Sequence, residues 1–337
     1  MKTTLDIIIK SFNRPYYLER CIRSIYLFVK GNFTIKVLDD GTPPEYLKHI
    51  QSLFPEVILY RSPEYDKKAK AINDHVTGRS KYNLSSIPSL FWVDVISKST
   101  DIFFLLEDDI WLTQEIDLDD VEQGMHEKNV VLTKTYWANN KYFVSGQKEQ
   151  LSTSLELYIP NISRLQIAIF QNEWKLRSIL YRLKLFTVDL KFLLPFYDLY
   201  SVASAFYKKE YWLYLWQDSS NKVEETYQLT RALQWRKNNE SGFAKTINEV
   251  TTTSFITSAT NMFSGVDLEI FHFNHHLNQA WINGKLDSME NFPKDFSIPY
   301  ISEFLRDSND NNCKPEEWHK WITHFKGIYV PLGFDVN

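Results

Sequence analysis

Three consecutive carboxylates, Glu107, Asp108 and Asp109, follow the apolar run Phe103-Phe104-Leu105-Leu106, and apolar residues resume at Ile110-Trp111-Leu112. A buried strand that ends in stacked acids is costly, because like charges repel and each resists desolvation. A divalent cation at the strand end relieves that cost, and hard oxygen ligands suit Mg²⁺ or Mn²⁺. An acidic turn between two core segments is the plainer explanation of the triplet alone. The rest of the first hundred residues weighs against it.

The positioning elements are legible as alternating strands and helices. Leu5–Lys10 is a β-branched apolar strand, followed by the loop Ser11-Phe12-Asn13-Arg14-Pro15, with Pro15 placed to open a helix. Leu18, Cys21, Ile22 and Ile25 recur at helical spacing, which predicts a helix over about 16–28. A strand over 33–38 ends in Asp39-Asp40-Gly41-Thr42; a helix over 46–54, a strand over 57–61, helices over 68–76 and 90–96, and a strand over 101–106 complete the pattern. Such alternation implies a mostly parallel sheet with right-handed crossovers, in which ligands sit beyond the carboxyl ends of the strands. Ser11 to Arg14, Asp39-Asp40 and Glu107 to Asp109 should therefore converge.

Composition narrows the function. The formal net charge of −4 gives no basic excess for phosphate neutralisation, so no nucleic-acid partner is expected. Only Cys21 and Cys313 are present, which fits a reducing compartment better than a disulfide framework. The opening apolar run, Ile7-Ile8-Ile9, is too short for a signal peptide or a membrane span, so a soluble cytoplasmic protein is expected.

Together, Ile7-Ile8-Ile9-Lys10-Ser11-Phe12-Asn13-Arg14-Pro15, Val37-Leu38-Asp39-Asp40-Gly41-Thr42 and Leu105-Leu106-Glu107-Asp108-Asp109 make a recognisable series. The sequence resembles the family 2 glycosyltransferases with the GT-A fold, well over residues 4–112 and patchily to about 240. The resemblance implies an α/β fold with a Rossmann-like sheet flanked by helices, and a metal-dependent transferase of hexosyltransferase type. The expected donor is a nucleotide-diphospho-sugar, first of all a UDP-sugar. A glycan or lipid-linked acceptor in surface polysaccharide or glycolipid synthesis is the expected partner. It divides the chain into a transferase domain over 1–245, with a nucleotide-binding half (1–112) and an acceptor half (113–245), and an extension over 246–337 that closes over the acceptor site.

By the same resemblance, Asp39 and Asp40 hold the nucleoside, while Ser11, Asn13 and Arg14 contact base or phosphate. Lys70 and Asn73, in Lys70-Ala71-Ile72-Asn73, stand where the family has a small-Arg-Asn sequence and are candidate donor contacts. The triplet fills the family's DxD position: Asp109 binds the metal, Asp108 and Glu107 hold sugar or ribose groups, and the longer Glu107 reaches the metal through water. The pair Glu224-Glu225 opens a helix where the family carries its base, with Glu225 favoured for proton abstraction from the acceptor hydroxyl. An acidic cap on the helix dipole is the structural alternative. In the cluster His272-Phe273-Asn274-His275-His276, His272 is the candidate to complete the metal shell, at the end of an apolar run over 268–271 read as a strand.

Residues 174–194 predict an amphipathic helix with Leu176, Ile179, Leu180, Leu183, Leu190 and Leu194 on one face, flanked by Lys175, Arg177, Arg182, Lys184 and Lys191. Contact with an anionic membrane surface, packing on the sheet and packing against a second subunit all remain open. Two other functions compete. A nucleotidyltransferase would need a glycine-rich loop after the first strand, and Lys10 to Tyr17 contains no glycine. A non-catalytic carbohydrate- or lipid-binding protein would leave the acids at three strand ends without a purpose.

Overall fold

The computed structural model describes residues 4–137, 140, 146–185, 187, 189–218, 220 and 224–336. The N-terminal half follows the expected alternation. Strands Leu5–Ser11, Phe33–Asp39, Ile58–Arg61 and Ile102–Glu107 are interleaved with helices Pro15–Phe28, Pro44–Leu53, Tyr65–Val76 and Ser89–Ser97. The four strands are parallel, in the order Ile58–Arg61, Phe33–Asp39, Leu5–Ser11, Ile102–Glu107. Residues 7–9 and 103–106 are buried on both faces of the sheet, which is why they read as continuous apolar runs rather than alternating ones.

Beyond Ile102–Glu107 the sheet becomes mixed. Ala205–Lys208 enters antiparallel between Ile102–Glu107 and Val130–Lys134; Gly242–Thr246, Leu155–Tyr158 and Lys148–Gln150 complete a nine-stranded sheet. The inserted strand is pinned by stacking of Phe206 on Phe104, whose ring centroids lie 4.2 Å apart.

Residues 251–336 pack back onto the first half. Thr251–Thr253 pairs antiparallel with Ile110–Leu112, just after the acidic triplet. Helix Ile270–Ile282 lies against Tyr65–Val76 and Pro15–Phe28, and helices Ile298–Ser308 and Pro315–Tyr329 follow. The run over 268–271 is not a strand: the helix begins at Ile270, whose period-3.6 apolar face is supplied by Phe273, Leu277 and Trp281. The amphipathic helix expected over 174–194 is likewise not continuous. It is broken into Leu176–Arg182 and Leu190–Leu193, with left-handed residues at Trp174, Lys175 and Lys184; positions 186 and 188 lie outside the described residues.

The clamp between the two ends of the chain is Arg20, wholly buried inside the first helix. Its guanidinium donates to the carbonyls of Ser288 (2.8 Å), Lys294 (2.9 Å) and Glu290, and stacks 4.0 Å over Phe296. Burial disfavours its charge, so three fixed carbonyl dipoles and the aromatic face must replace water. Arg20→Ala would strand those carbonyls, and it should cost about 3–5 kcal/mol, read as a lowered urea midpoint. Arg20→Lys should recover only part of that, since an ammonium cannot reproduce the planar fork.

Candidate active site

The register of the parallel strands brings the three expected ends together. Ser11 pairs with Asp39, and Lys10 with Glu107. The first loop then turns sharply: Asn13 takes a left-handed φ of 56°, and Pro15 starts the helix with Arg14 as its N-cap. This turn drives the Arg14 side chain back across the triplet. Its Nη2 donates to Asp108 Oδ1 at 2.5 Å and its Nη1 to Asp109 Oδ2 at 2.6 Å. Lys10 Nζ reaches Glu107 Oε1 at 2.6 Å, and the backbone N–H of Phe12 donates to Asp108 Oδ2 at 2.9 Å.

These contacts set the charges. Burial pushes the Asp108 and Asp109 carboxyls upward, reinforced by their acidic neighbours, while Arg14 opposes the shift. Burial also works on Glu107, but there the Lys10 cation prevails and holds the carboxyl below its ordinary value. Arg14 is itself buried; Asp108 and Asp109 more than offset its desolvation and keep it cationic.

Asp108 has both oxygens engaged, whereas Asp109 keeps one oxygen outside the Arg14 pair and Glu107 one outside the Lys10 pair. Three acids against two cations leave one negative charge in excess. The donor set therefore fits a divalent cation held by one or two carboxylates with the rest of its shell from phosphate and water.

Two clefts meet at this point. One, of about 560 Å³, is lined by Ser11, Phe12, Asp40, Lys68, Tyr82, Trp92, Asp108 and Phe271 among others. Phe12, Tyr82 and Phe271 give it aromatic walls, with Tyr82 and Phe271 centroids 4.4 Å apart. The second, of about 520 Å³, is lined by Asp109, Lys134, Tyr197, Ser201 to Ser204, Glu225, Phe325 and Tyr329 among others. Arg14 and Glu107 border both, as do Ala259 and Thr260 of the C-terminal segment.

The candidate residues sort accordingly. Asp40 faces the first cleft: its Oδ2 takes the Lys68 ammonium at 2.5 Å, and its Oδ1 is buried without a hydrogen-bond partner among the described residues. Burial raises its pKa against the pull of Lys68. Asp39 is turned inward: it accepts from the N–H groups of Gly41 and Thr42 and from the Thr42 hydroxyl, a self-closing turn that leaves no face to a ligand. Asn13 lines neither cleft; its carbonyl and its side-chain Oδ1 both accept from Asn278 Nδ2 at 3.2 Å.

Lys70 and Asn73 point away from the cleft, into a separate hollow with Pro44 and His275; Lys70 is 76% exposed and pairs with Asp74. The lysine aimed into the site is Lys68, two residues earlier on the helix and only 2% exposed. A two-residue offset on a helix turns a side chain by about 200°, which explains the misplacement.

Glu225 lies in the second cleft at the first turn of helix Glu225–Asn238, and accepts a hydrogen bond from the Tyr197 hydroxyl. Burial raises its pKa, and repulsion from Glu107 adds to this against Lys10. Glu224 is exposed and lines neither cleft. His272 does not join the triplet; it bonds Asp310 from within helix Ile270–Ile282. Sequence reasoning missed Lys10, Lys68, Lys134 and Tyr197. Lys134 is buried, donates to the Tyr197 carbonyl, and has its pKa lowered by burial against the attraction of Asp198.

This is an α/β protein with a charged site at the carboxyl ends of parallel strands. Its residues 6–79 match the model described as Glycosyl transferase family 2, the segment from the first strand through the Lys68 helix. No curated protein sequence matches the chain. Among solved structures, S. aureus TarS 1–349 in complex with UDP-GlcNAc is 12% identical, with 98% of this chain and 81% of that one covered at a TM-score of 0.41. Glucosyl-3-phosphoglycerate synthase from Mycobacterium tuberculosis, with Mn²⁺, UDP-glucose and phosphoglyceric acid, is 11% identical, with 85% and 81% covered at a TM-score of 0.37.

The two lysines give a direct test of the first cleft. Lys68→Ala leaves Asp40 buried and unpaired, so it should cost about 3–5 kcal/mol and abolish stabilisation by a nucleoside diphosphate. Lys70→Ala should change stability by less than about 0.5 kcal/mol and leave the ligand-induced thermal shift intact. Thermal melts of both variants with and without UDP or GDP distinguish them.

Proposed function

We propose that this protein is a glycosyltransferase that moves a sugar from a nucleotide-diphospho-sugar to a hydroxyl of a glycan or lipid-linked acceptor, with inversion at the anomeric carbon. The observation that carries the proposal is the pair of adjoining clefts. One is aromatic and nucleoside-sized, the other holds a buried carboxylate, and they meet at Glu107 and Arg14. The family 2 match over residues 6–79 supports the donor class, and a UDP-sugar is our first choice.

In this reading the base of the donor lies among Phe12, Tyr82 and Phe271, with Asp40 accepting from its N–H or from ribose hydroxyls. The acceptor hydroxyl lies in the second cleft, where Glu225 removes its proton as its oxygen attacks the anomeric carbon. The bond from that carbon to the diphosphate breaks, and the nucleoside diphosphate leaves with the electron pair. Arg14 faces both clefts and offsets the charge that develops on the leaving group. Asp109, with Glu107 through water, would hold a Mn²⁺ or Mg²⁺ ion that supplies Lewis-acid compensation to the diphosphate. Tyr197 orients Glu225 by its hydrogen bond.

A lipid-linked acceptor draws support from the exposed apolar and basic surface over residues 174–185. Trp174, Ile179, Tyr181, Leu183 and Leu185 stand exposed there beside Lys175, Arg182 and Lys184, a combination that suits an anionic membrane surface. No described helix is long and apolar enough to cross a membrane.

Release of UDP or GDP from a panel of nucleotide-sugars, with Mn²⁺ or Mg²⁺, tests the activity; no turnover or binding across the panel defeats it. Asp109→Ala should abolish metal-dependent donor binding. Glu225→Gln should leave donor binding nearly intact while lowering transfer by about 10²-fold or more. The sign of the pH dependence follows from the raised pKa of Glu225: only the carboxylate accepts a proton, so the transfer rate falls as pH drops through a value above the ordinary carboxylate range. Glu225→Gln should flatten that acid limb. Retention of anomeric configuration, read by NMR of the product, would rule out the single displacement.

A further inference from the structure

Outside both clefts, three side chains converge in a way that the transfer reaction does not use. His272 and His276 are four residues apart on helix Ile270–Ile282 and so share one face. Asp310 comes from the turn between helices Ile298–Ser308 and Pro315–Tyr329. Its Oδ2 lies 2.7 Å from His272 Nδ1 and 2.9 Å from His276 Nε2, and the three candidate ligand atoms all fall within 4.8 Å of one another.

The carboxylate is rigidly aimed. Asp310 Oδ1 accepts from the Asn312 backbone N–H at 2.9 Å and from Asn312 Nδ2 at 2.8 Å, and the Asp310 N–H donates to the Ser308 hydroxyl at 3.2 Å. Asn309, in the left-handed region at φ 52°, bends the chain into that position. Outer hydrogen bonds of this kind are what fix a metal-binding carboxylate. The neighbouring His75 is committed elsewhere: its Nε2 pairs with Glu269 at 2.6 Å, and its Nδ1 accepts from the Tyr82 N–H at 3.0 Å. It is therefore not a fourth ligand, and water would complete the shell.

We propose that His272, His276 and Asp310 form a binding site for a borderline transition-metal ion of the Zn²⁺ class, which clips helix Ile270–Ile282 to the turn at Asp310. Two imidazole nitrogens and one carboxylate oxygen match Zn²⁺ rather than the hard cations Mg²⁺ and Ca²⁺. Metal bonds of about 2.0–2.2 Å at tetrahedral angles place ligand atoms roughly 3.3–3.5 Å apart, so an ion enters as the two histidine–carboxylate distances open by about half an ångström and the two ring nitrogens, within 4.8 Å of each other, draw together. The two imidazole N–H protons now directed at Asp310 move to the opposite ring nitrogens, a tautomer change with no net proton release from neutral histidines.

The clip would brace the cleft from behind. Phe271, next to His272, forms a wall of the first cleft with Tyr82. Helix Pro315–Tyr329, on the other side of Asp310, holds the strap over 256–261 through Trp318 Nε1 to the Ile256 carbonyl (2.8 Å) and Trp321 Nε1 to the Asn261 carbonyl (3.0 Å). None of the three ligands lines either cleft, so this site is separate from the triplet at Asp109.

The test uses the full chain without a histidine tag, stripped with chelator and titrated with Co²⁺ as a spectroscopic probe. One equivalent should produce a visible d–d absorption that Zn²⁺ displaces, and Zn²⁺ alone should raise the melting temperature. His276→Gln and Asp310→Asn should each weaken Zn²⁺ binding about tenfold or more, while Asp109→Ala keeps the absorption unchanged. The proposal is overturned if the wild-type chain gives no Co²⁺ band and retains no Zn²⁺ on dialysis. It is equally overturned if the band survives in both His276→Gln and Asp310→Asn, or disappears in Asp109→Ala.

Discussion

The structure turns on the neutralisation of three acids at the end of one buried strand. Without Lys10 and Arg14 the triplet would place three negative charges at the mouth of an apolar sheet, and protonation would be cheaper than ionisation. Arg14 bridges two of them at hydrogen-bond distance, and its placement depends on the turn at Asn13 and the helix start at Pro15. That turn is held in place by Asn278, which comes from a helix more than two hundred residues later in the chain. The site is thus not a property of the N-terminal half alone. The charge arrangement at residues 107–109 needs the C-terminal helices to keep the first loop in register.

The same charges divide the molecule's work. Glu107 and Arg14 stand on the border between an aromatic cleft and one that contains Glu225. An anionic leaving group and a proton-accepting base need opposite local fields: cations near the first, an unpaired carboxylate near the second. From the first cleft to the second, the groups Lys68, Arg14, Glu107 and Glu225 run from cations to acids in that sense. Burial raises the pKa of Glu225 and Glu107 adds repulsion, so this carboxylate holds a proton more tightly than an exposed one.

The parallel half was legible because its strands are buried on both faces and its helices have short, proline-marked starts; the predicted boundaries fall within a few residues of those observed. The triplet was legible because acids that close an apolar run have little reason to be there, whereas Asp40, Arg14 and Glu225 were candidates chiefly through the family resemblance; all of them line one or both clefts. Lys10, the last interior residue of its strand, carried no such signal, and its role appears only when the strand register sets it opposite Glu107. Asp39 and Asp40 are adjacent and chemically identical in sequence; only the turn decides that one closes on Gly41 and Thr42 while the other faces the cleft. Lys68 and Lys70 differ by a rotation that propensity cannot resolve to the residue. The helix over 174–194 failed for a different reason: its amphipathic pattern is real, but left-handed turns at Trp174, Lys175 and Lys184 interrupt it, leaving Ile179, Leu183 and Leu190 exposed while Leu194 is buried.

The last eighty-odd residues carried no strong motif beyond the histidine cluster, and their role toward the acids is mechanical in a specific sense. They reach the site through three tethers of different chemistry: Asn278 to the Asn13 carbonyl, the Arg20 fork to the carbonyls of Ser288, Glu290 and Lys294, and the pairing of Thr251–Thr253 with Ile110–Leu112. Each tether joins to an element next to the acids: the first loop, the first helix, and the strand just after the triplet. A hydrogen-bonded fork in a dry interior fixes both distance and plane, which packing alone does not. The strap over 256–261 is held on its outer side by Trp318 and Trp321, while Ala259 and Thr260 touch both clefts. A displacement of the strap would therefore move both clefts together, which couples the two halves of the site through one segment of backbone.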